Sequence, residues 1–224
     1  MSEQTGDTAT DTNKRPGWLA RAGLMILVSS IIAVSAFATW TFLTRNDAPL
    51  PGVGTKQVIV PPREMPDFTL TSDSGQPLRL SDLRGTPVLL FFGFTHCPDV
   101  CPTTLGEFRQ IKAKMGEKGE QARFVFISVD GSRDTPESLA AYLHAFDPAF
   151  IGLTGDEELV RTIGKDYYVY FERVTLGTAT AAGENYTVDH TTYSYLIDAD
   201  GRLRVIYPFQ APTQMIADDI KSLL

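Results

Sequence analysis

The sequence predicts an α/β fold, a sandwich around a central mixed sheet, preceded by one N-terminal transmembrane helix. Three observations carry this. Residues 87–94 and 124–129 are nearly unbroken apolar runs, with the length and composition of strands buried on both faces. A helical pattern lies between them, so strand, helix and strand form one βαβ unit. Upstream, Ala22 to Leu43 holds no charged residue for 22 positions.

Taken in order, residues 1–21 are polar and without apolar periodicity, as expected of a disordered cytoplasmic tail. A helix over 22–43 rises about 1.5 Å per residue, enough for the roughly 30 Å hydrocarbon core. Trp18 and Trp40 fall near its ends, where indoles favour the interface. Lys14, Arg15 and Arg21 precede the span and only Arg45 and Lys56 follow closely. The positive-inside bias then predicts a single-pass anchor with the remainder on the non-cytoplasmic side. A rival reading takes Val34-Ser35-Ala36 as a signal-peptide cleavage site. The apolar stretch continues through Phe37, Trp40, Phe42 and Leu43, which favours an uncleaved anchor. Residues 44–63 carry Pro49, Pro51, Gly52, Gly54, Pro61 and Pro62 and read as a Pro/Gly-rich linker to a domain over 64–224.

Within that domain, 67–70 and 78–80 read as short strands around the turn Ser72-Asp73-Ser74-Gly75. The buried strand 87–94 leads into Thr95-His96-Cys97-Pro98-Asp99-Val100-Cys101-Pro102. Leu105, Phe108, Ile111 and Met115 then mark one helix face, ended by Gly116 and Gly119. A second helix starts at Asp134-Thr135-Pro136-Glu137, with a cap residue, a first-turn proline and a first-turn acid. A third covers about 156–164. Strands are expected at 168–171 and 193–198, with a polar loop at 177–185 between them. The turn at 198–201 returns 203–207 as a hairpin partner, and a helix over about 213–223 closes the chain. Alternating α and β with a terminal hairpin and helix describes a thioredoxin-like sandwich.

A net charge of −7 argues against nucleic acid as a partner, because such binding rests on Lys and Arg contacts to phosphate. Cys97 and Cys101 are the only cysteines, too few for a disulfide framework. Pro102 is suited to the first helical position, which would make Cys101 the cap and expose it to the helix dipole that favours thiolate. Two thiols at this spacing can close a disulfide or hold a soft ion such as Cu(I), or Zn(II) with further ligands. The spacing leaves both open, although dithiol oxidoreductases usually have two intervening residues where this chain has three.

Three histidines are candidates for a third ligand. His144 sits in an amphipathic helix and reads as a surface or boundary residue. His96 adjoins Cys97, and strand alternation directs neighbouring side chains to opposite faces. His190, in Asp189-His190-Thr191 just before a strand, lies in a loop that could fold back over the cysteines; otherwise it is a hydrogen-bonded strand-end histidine.

Phe92–Pro102, Ser128-Val129-Asp130, Arg133-Asp134-Thr135-Pro136-Glu137 and Val188-Asp189-His190-Thr191 together resemble the Sco/SenC family. Tyr195-Leu196-Ile197-Asp198 and Gly201 fit the same pattern. The resemblance implies a membrane-anchored, thioredoxin-fold copper protein that helps assemble the Cu-A centre of cytochrome c oxidase subunit II. It further implies Cys97, Cys101 and His190 as ligands of copper, as Cu(I), Cu(II) or both. Where the family commonly has proline and an acid after Ser-Val-Asp, this chain has Gly131-Ser132.

The expected function is therefore a copper chaperone delivering to subunit II, with another periplasmic copper donor and a thiol reductant as further partners. The domain would face the bacterial periplasm or, as the less favoured setting, the mitochondrial intermembrane space. The alternative is a thiol–disulfide oxidoreductase, with Cys97 as nucleophile and Cys101 as resolving thiol of a redox-active disulfide. It would reduce the cysteines of a copper-site apoprotein and would not need His190. Asp189 is a candidate to orient the His190 ring, and Asp99 to tune the thiols or meet a partner. A thiol peroxidase is disfavoured, since Trp18 and Trp40 both lie outside the domain.

Overall fold

A computed structural model describes residues 55–177 and 185–224, together with 25, 27, 29–37 and 39. The tail expected over 1–21 lies outside the described residues, as does most of the loop at 177–185. The N-terminal unit and the unit beginning at Pro49 are each compact in themselves.

The described residues between 25 and 39 are helical. Their hydroxyls return to the helix's own carbonyls: Ser30 Oγ to Leu27 O at 3.2 Å, Ser35 Oγ to Ile32 O at 3.0 Å and Thr39 Oγ1 to Ser35 O at 2.8 Å. Such back-bonding satisfies a polar group without solvent. Among the described residues no helix is long and apolar enough to cross a membrane, and the expected span 22–43 lies partly outside them.

In the second unit the apolar runs form the expected central strands. β4 (Val88–Gly93) is buried along its whole length and pairs in parallel with β5 (Arg123–Ser128). The helix α1 (Val100–Met115) makes the crossover between them. On the far side of β5 lies β6 (Ile151–Thr154), also parallel, reached through α2 (Pro136–His144). Gly152 has no side chain because Leu139 and Leu143 of α2 press onto it; a Cβ there would lie 2.7 Å from a Leu143 methyl. Beyond β6 come β2 (Thr69–Ser72) and β3 (Pro77–Arg79). On the other side of β4 lie β9 (Ser194–Ile197), β10 (Arg202–Tyr207) and β1 (Gln57–Glu64), each antiparallel to its neighbour. The eight-stranded order is β1-β10-β9-β4-β5-β6-β2-β3. Helix α3 (Glu157–Asp166) and the terminal helix α4 (Thr213–Lys221) complete the unit, with α4 packed on α1.

Helical segments cover both faces of this sheet. Phe108 of α1 meets Phe124 on one face, where Tyr142 of α2 also meets Phe126. On the other face Tyr167, after α3, lies against Phe92 and Tyr195. Rings of this size bury large apolar areas and dominate core energetics. A mixed sheet sandwiched this way is a thioredoxin-like architecture.

Three elements differ from the sequence reading. Residues 57–63, read as linker, belong to edge strand β1, and Lys56 Nζ beside them bonds Asp219 at 2.6 Å. Pro61 and Pro62 are tolerated there because β1 lies at the sheet edge and its register shifts between Val58 and Arg63. The strand expected at 168–171 begins only at Phe171, because Tyr168 has φ 57° and Val169 N–H donates back to Gly164 O in the cap of α3. That strand, β7 (Phe171–Thr175), pairs with β8 (Tyr186–His190) as a separate two-stranded sheet.

The register also places the first residue of β1. Phe91 and Tyr207 both sit opposite Ser194, and Gln57 lies opposite Ile206. The chain therefore enters the sheet at the end from which the cysteine loop leaves β4.

Candidate metal centre

Cys97 and Cys101 are held by the C-terminal end of β4 and the first turn of α1. The helix starts at Val100 with Asp99 at the cap position, so the sequence expectation of Cys101 as cap is corrected by two residues. Pro102 sits at the third helical position, where its missing N–H is still no loss. The consequence reverses which thiol the helix end serves. The Cys101 N–H points at Cys97 Sγ, 3.4 Å away, so Cys97 receives the amide and the positive end of the dipole. Cys97 is half-buried, whereas Cys101 is fully buried. Its sulfur lies against Gly93, whose missing Cβ would otherwise sit 2.8 Å from Cys101 Sγ and from ring atoms of Phe91 and Phe126.

The hydrogen bond from the Cys101 thiol is the largest reason that the Cys97 thiol is held far below its ordinary range. His190 and the N–H groups of Cys101 and Asp99 act in the same direction, against partial burial. Cys101 is pushed up by that same bond to Cys97, then by burial and by the neighbouring charge. The two shifts run in opposite directions, so the arrangement favours thiolate on the accessible Cys97 over the buried Cys101.

His190 is the last residue of β8 and sits opposite Phe171. Its Nε2 is 3.7 Å from Cys101 Sγ. The ring stands edge-on to Phe91 and Phe94, with centroids 5.9 and 5.7 Å away. His190 Nδ1 lies 3.0 Å from Thr191 O, an oxygen that only accepts, so Nδ1 carries a proton and the ring is turned with Nε2 towards the sulfurs. That bond corrects the role expected of Asp189. Strand alternation sends the Asp189 side chain to the exposed face of β8, and the carbonyl of Thr191 orients the ring instead. Asp99 is exposed at the helix cap and makes no side-chain capping bond; it is its N–H, not its carboxylate, that acts on Cys97. His96 is exposed with Nδ1 3.1 Å from Thr95 Oγ1, and His144 pairs with Asp73 at 3.3 Å.

The ligand atoms of Cys97, Cys101 and His190 all lie within 4.8 Å of one another, and no other His, Cys, Asp or Glu among the described residues joins the group. Two soft sulfurs and one imidazole with no fourth protein ligand fit Cu(I) better than Zn(II), which in closed sites takes four. Behind the cysteines is a polar support that the sequence reading did not assign. Asp134 is fully buried and accepts from Thr95 N at 3.0 Å, Thr95 Oγ1 at 2.6 Å and Ser128 Oγ at 2.7 Å. The first-turn signal at 134–137 was legible only as a helix start, because nothing local says that its acid points back to the cysteine loop.

A thioredoxin-like sandwich that carries two thiols and an imidazole at the mouth of its central strand defines a class of copper-binding domains. More narrowly, the chain belongs to the SCO1/SenC family, whose model matches residues 57–224. It is 34% identical over 197 residues to a SCO2-like protein of Rickettsia felis, covering 86% of this chain and 93% of that one. The structure of Bradyrhizobium japonicum ScoI with copper bound is similar at TM-score 0.64 and 38% identity, covering 72% of this chain and 99% of that chain. The apo Sco1 protein of Thermus thermophilus is similar at TM-score 0.67 and 35% identity, covering 77% and 99%.

Proposed function

We propose that this protein is a membrane-anchored copper chaperone that holds copper through Cys97, Cys101 and His190 and delivers it to the Cu-A site of cytochrome c oxidase subunit II. The observation that carries the reading is the convergence of two sulfurs and the His190 Nε2 within 4.8 Å. Thiolates bind Cu(I) tightly and imidazole serves both oxidation states. A three-ligand site open at Cys97 can release its ion by stepwise ligand exchange with an acceptor. Copper titration of the full chain against Cys97→Ala, Cys101→Ala and His190→Ala tests it. Loss of Cu(I) binding in each cysteine variant, and of Cu(II) binding in His190→Ala, is expected; a reduced wild-type chain that takes up no copper overturns the reading.

The exported, tethered location belongs to the same proposal, with the domain in the bacterial periplasm and with a second copper donor and a thiol reductant as partners there. The exposed apolar side chains of Met25, Leu27, Ile31, Ile32, Val34 and Phe37 support it, since water disfavours so much apolar surface on one helix. Immunoblotting of membrane fractions is expected to give a full-length chain; a product starting near Phe37 would be a cleaved leader instead.

A second activity is favoured by the thiolate character of half-exposed Cys97. Its sulfur can attack one sulfur of a partner disulfide and release the other as thiolate. Cys101 then displaces the partner, closing the Cys97–Cys101 disulfide, which an external thiol must reduce. His190→Ala separates the two activities, since thiol exchange is expected to survive it.

A further inference from the structure

The hairpin that carries His190 is not part of the main sheet, and a two-stranded hairpin is marginally stable by itself. Something must fix it against the sulfurs. Phe171 and Val188 are buried within it, Arg161 Nη1 donates to Phe171 O at its β7 end, and Tyr186 at the start of β8 ties it to the turn after β5. Tyr186 OH donates to Asp130 Oδ1 at 2.7 Å, and Arg133 Nη1 donates to Tyr186 O at 3.1 Å. The ring lies between two guanidiniums, with Arg133 Cζ 3.7 Å and Arg173 Cζ 4.8 Å from its centroid. Asp130 is fully buried and also accepts from Arg133 Nε and Ser132 Oγ, while Arg173 Nη2 donates to Ser132 Oγ at 2.8 Å.

Asp130, Ser132 and Arg133 belong to one turn, residues 128–134, immediately after β5. The same turn ends in Asp134, whose carboxylate holds Thr95 two residues before Cys97. Gly131 lets the turn lie flat on its neighbour: a Cβ there would fall 2.0 Å from Gly155 O. One turn thus grips the cysteine loop with one carboxylate and the histidine hairpin with another. Gly131 and Ser132 are both built into the grip.

We infer that the turn 128–134 is a positioning bracket, and that Tyr186 is the residue through which it sets the distance between His190 and the two sulfurs. The inference rests on the copper reading above for its consequence but not for its geometry. Tyr186→Ala removes both the hydroxyl bond and the stacked ring; Tyr186→Phe keeps the ring between the guanidiniums and removes only the hydroxyl. In the full chain, Tyr186→Ala is expected to weaken Cu(II) binding by roughly 10–100-fold, as for other residues that orient a ligand from behind. Cu(I) affinity, set by the thiols, is expected to change by less than about threefold on the same logic. The imidazole-nitrogen hyperfine signal of bound Cu(II) is expected to fall in Tyr186→Ala and to recover in large part in Tyr186→Phe. In the metal-free chain, hydrogen exchange of residues 186–190 is expected to rise while β4 and β5 stay protected. That last readout needs no copper, so a wild-type chain that binds no metal would defeat the chaperone reading without touching the bracket. Unchanged exchange and unchanged Cu(II) spectra in Tyr186→Ala overturn the bracket. So does an equal loss of Cu(I) affinity, or a chain that fails to fold while Tyr186→Phe is wild-type in exchange and spectra.

Discussion

The cysteine loop and the histidine hairpin meet at one site but are held in different ways. The cysteines hang from β4, the most buried strand of the sheet, and their geometry follows from backbone: a missing Cβ at Gly93, an amide at Cys101 and a helix end. His190 hangs from a separate pair of strands, fastened largely by side chains whose guanidiniums remain partly exposed. Groups fixed by a packed core move only when the core does, because interiors are close-packed. Groups fixed by surface-linked polar contacts open locally at lower cost. The site therefore has a rigid, sulfur-bearing half and an adjustable, nitrogen-bearing half.

The comparison can be broken most forcefully at Gly93. Gly93→Ala places a methyl against one sulfur and two fixed rings, and overpacking of this kind costs about 3 kcal/mol. The urea midpoint is expected to fall globally; a change confined to β7 and β8 would contradict the division. Thr95→Val comes next. It deletes the 2.6 Å bond to buried Asp134, and leaving a buried carboxylate short of a donor costs about 2 kcal/mol, again seen in global unfolding. On the hairpin side, Arg161→Ala removes the 2.7 Å bond to Phe171 O and the cation over its ring. About 1 kcal/mol or less is expected, visible as faster exchange in β7 and not as a shifted global midpoint. A global loss as large as that of Thr95→Val would erase the distinction.

The last test is a dependence on pH in the reduced, metal-free chain, which acts on the sulfur-bearing half alone. Cys97 is depressed in the fold relative to an unfolded thiol near about 8.5, so its contribution is present above that value and is lost as pH falls through the acid range. Cys101 is raised, so the unfolded chain releases its proton first and stability falls above about 8.5. Together they give a maximum near the ordinary thiol range. Wild type measured against Cys97→Ser by urea unfolding is expected to lose its advantage progressively as pH falls from about 8 towards about 3; an advantage that grew on acidification would reverse the assignment.

The rigid half was the legible half. An eight-residue apolar run, a cysteine pair and a Thr-Pro-Glu helix start are local signals, and β4, α1, β5 and α2 formed where those signals lie. β8 carries no such signal: Tyr186-Thr187-Val188-Asp189-His190 is mostly polar and becomes a strand only because β7 lies opposite. β1 was hidden by its prolines, which a sheet edge accepts. The choice of Cys97 over Cys101 as the helix-facing thiol turned on two residues of helix boundary, where sequence patterns are least decisive. Asp130 and Asp134 were visible as motif residues, yet their partners lie 39 to 56 positions away and only the fold brings them together.

The path of β1 has a mechanical consequence. Because the chain joins the sheet at Gln57, at the same end as the sulfurs, a pull on the chain at Gln57 reaches the site's end of the sheet without crossing the body of the domain. Lys56, clipped to Asp219, pins that entry point to the terminal helix.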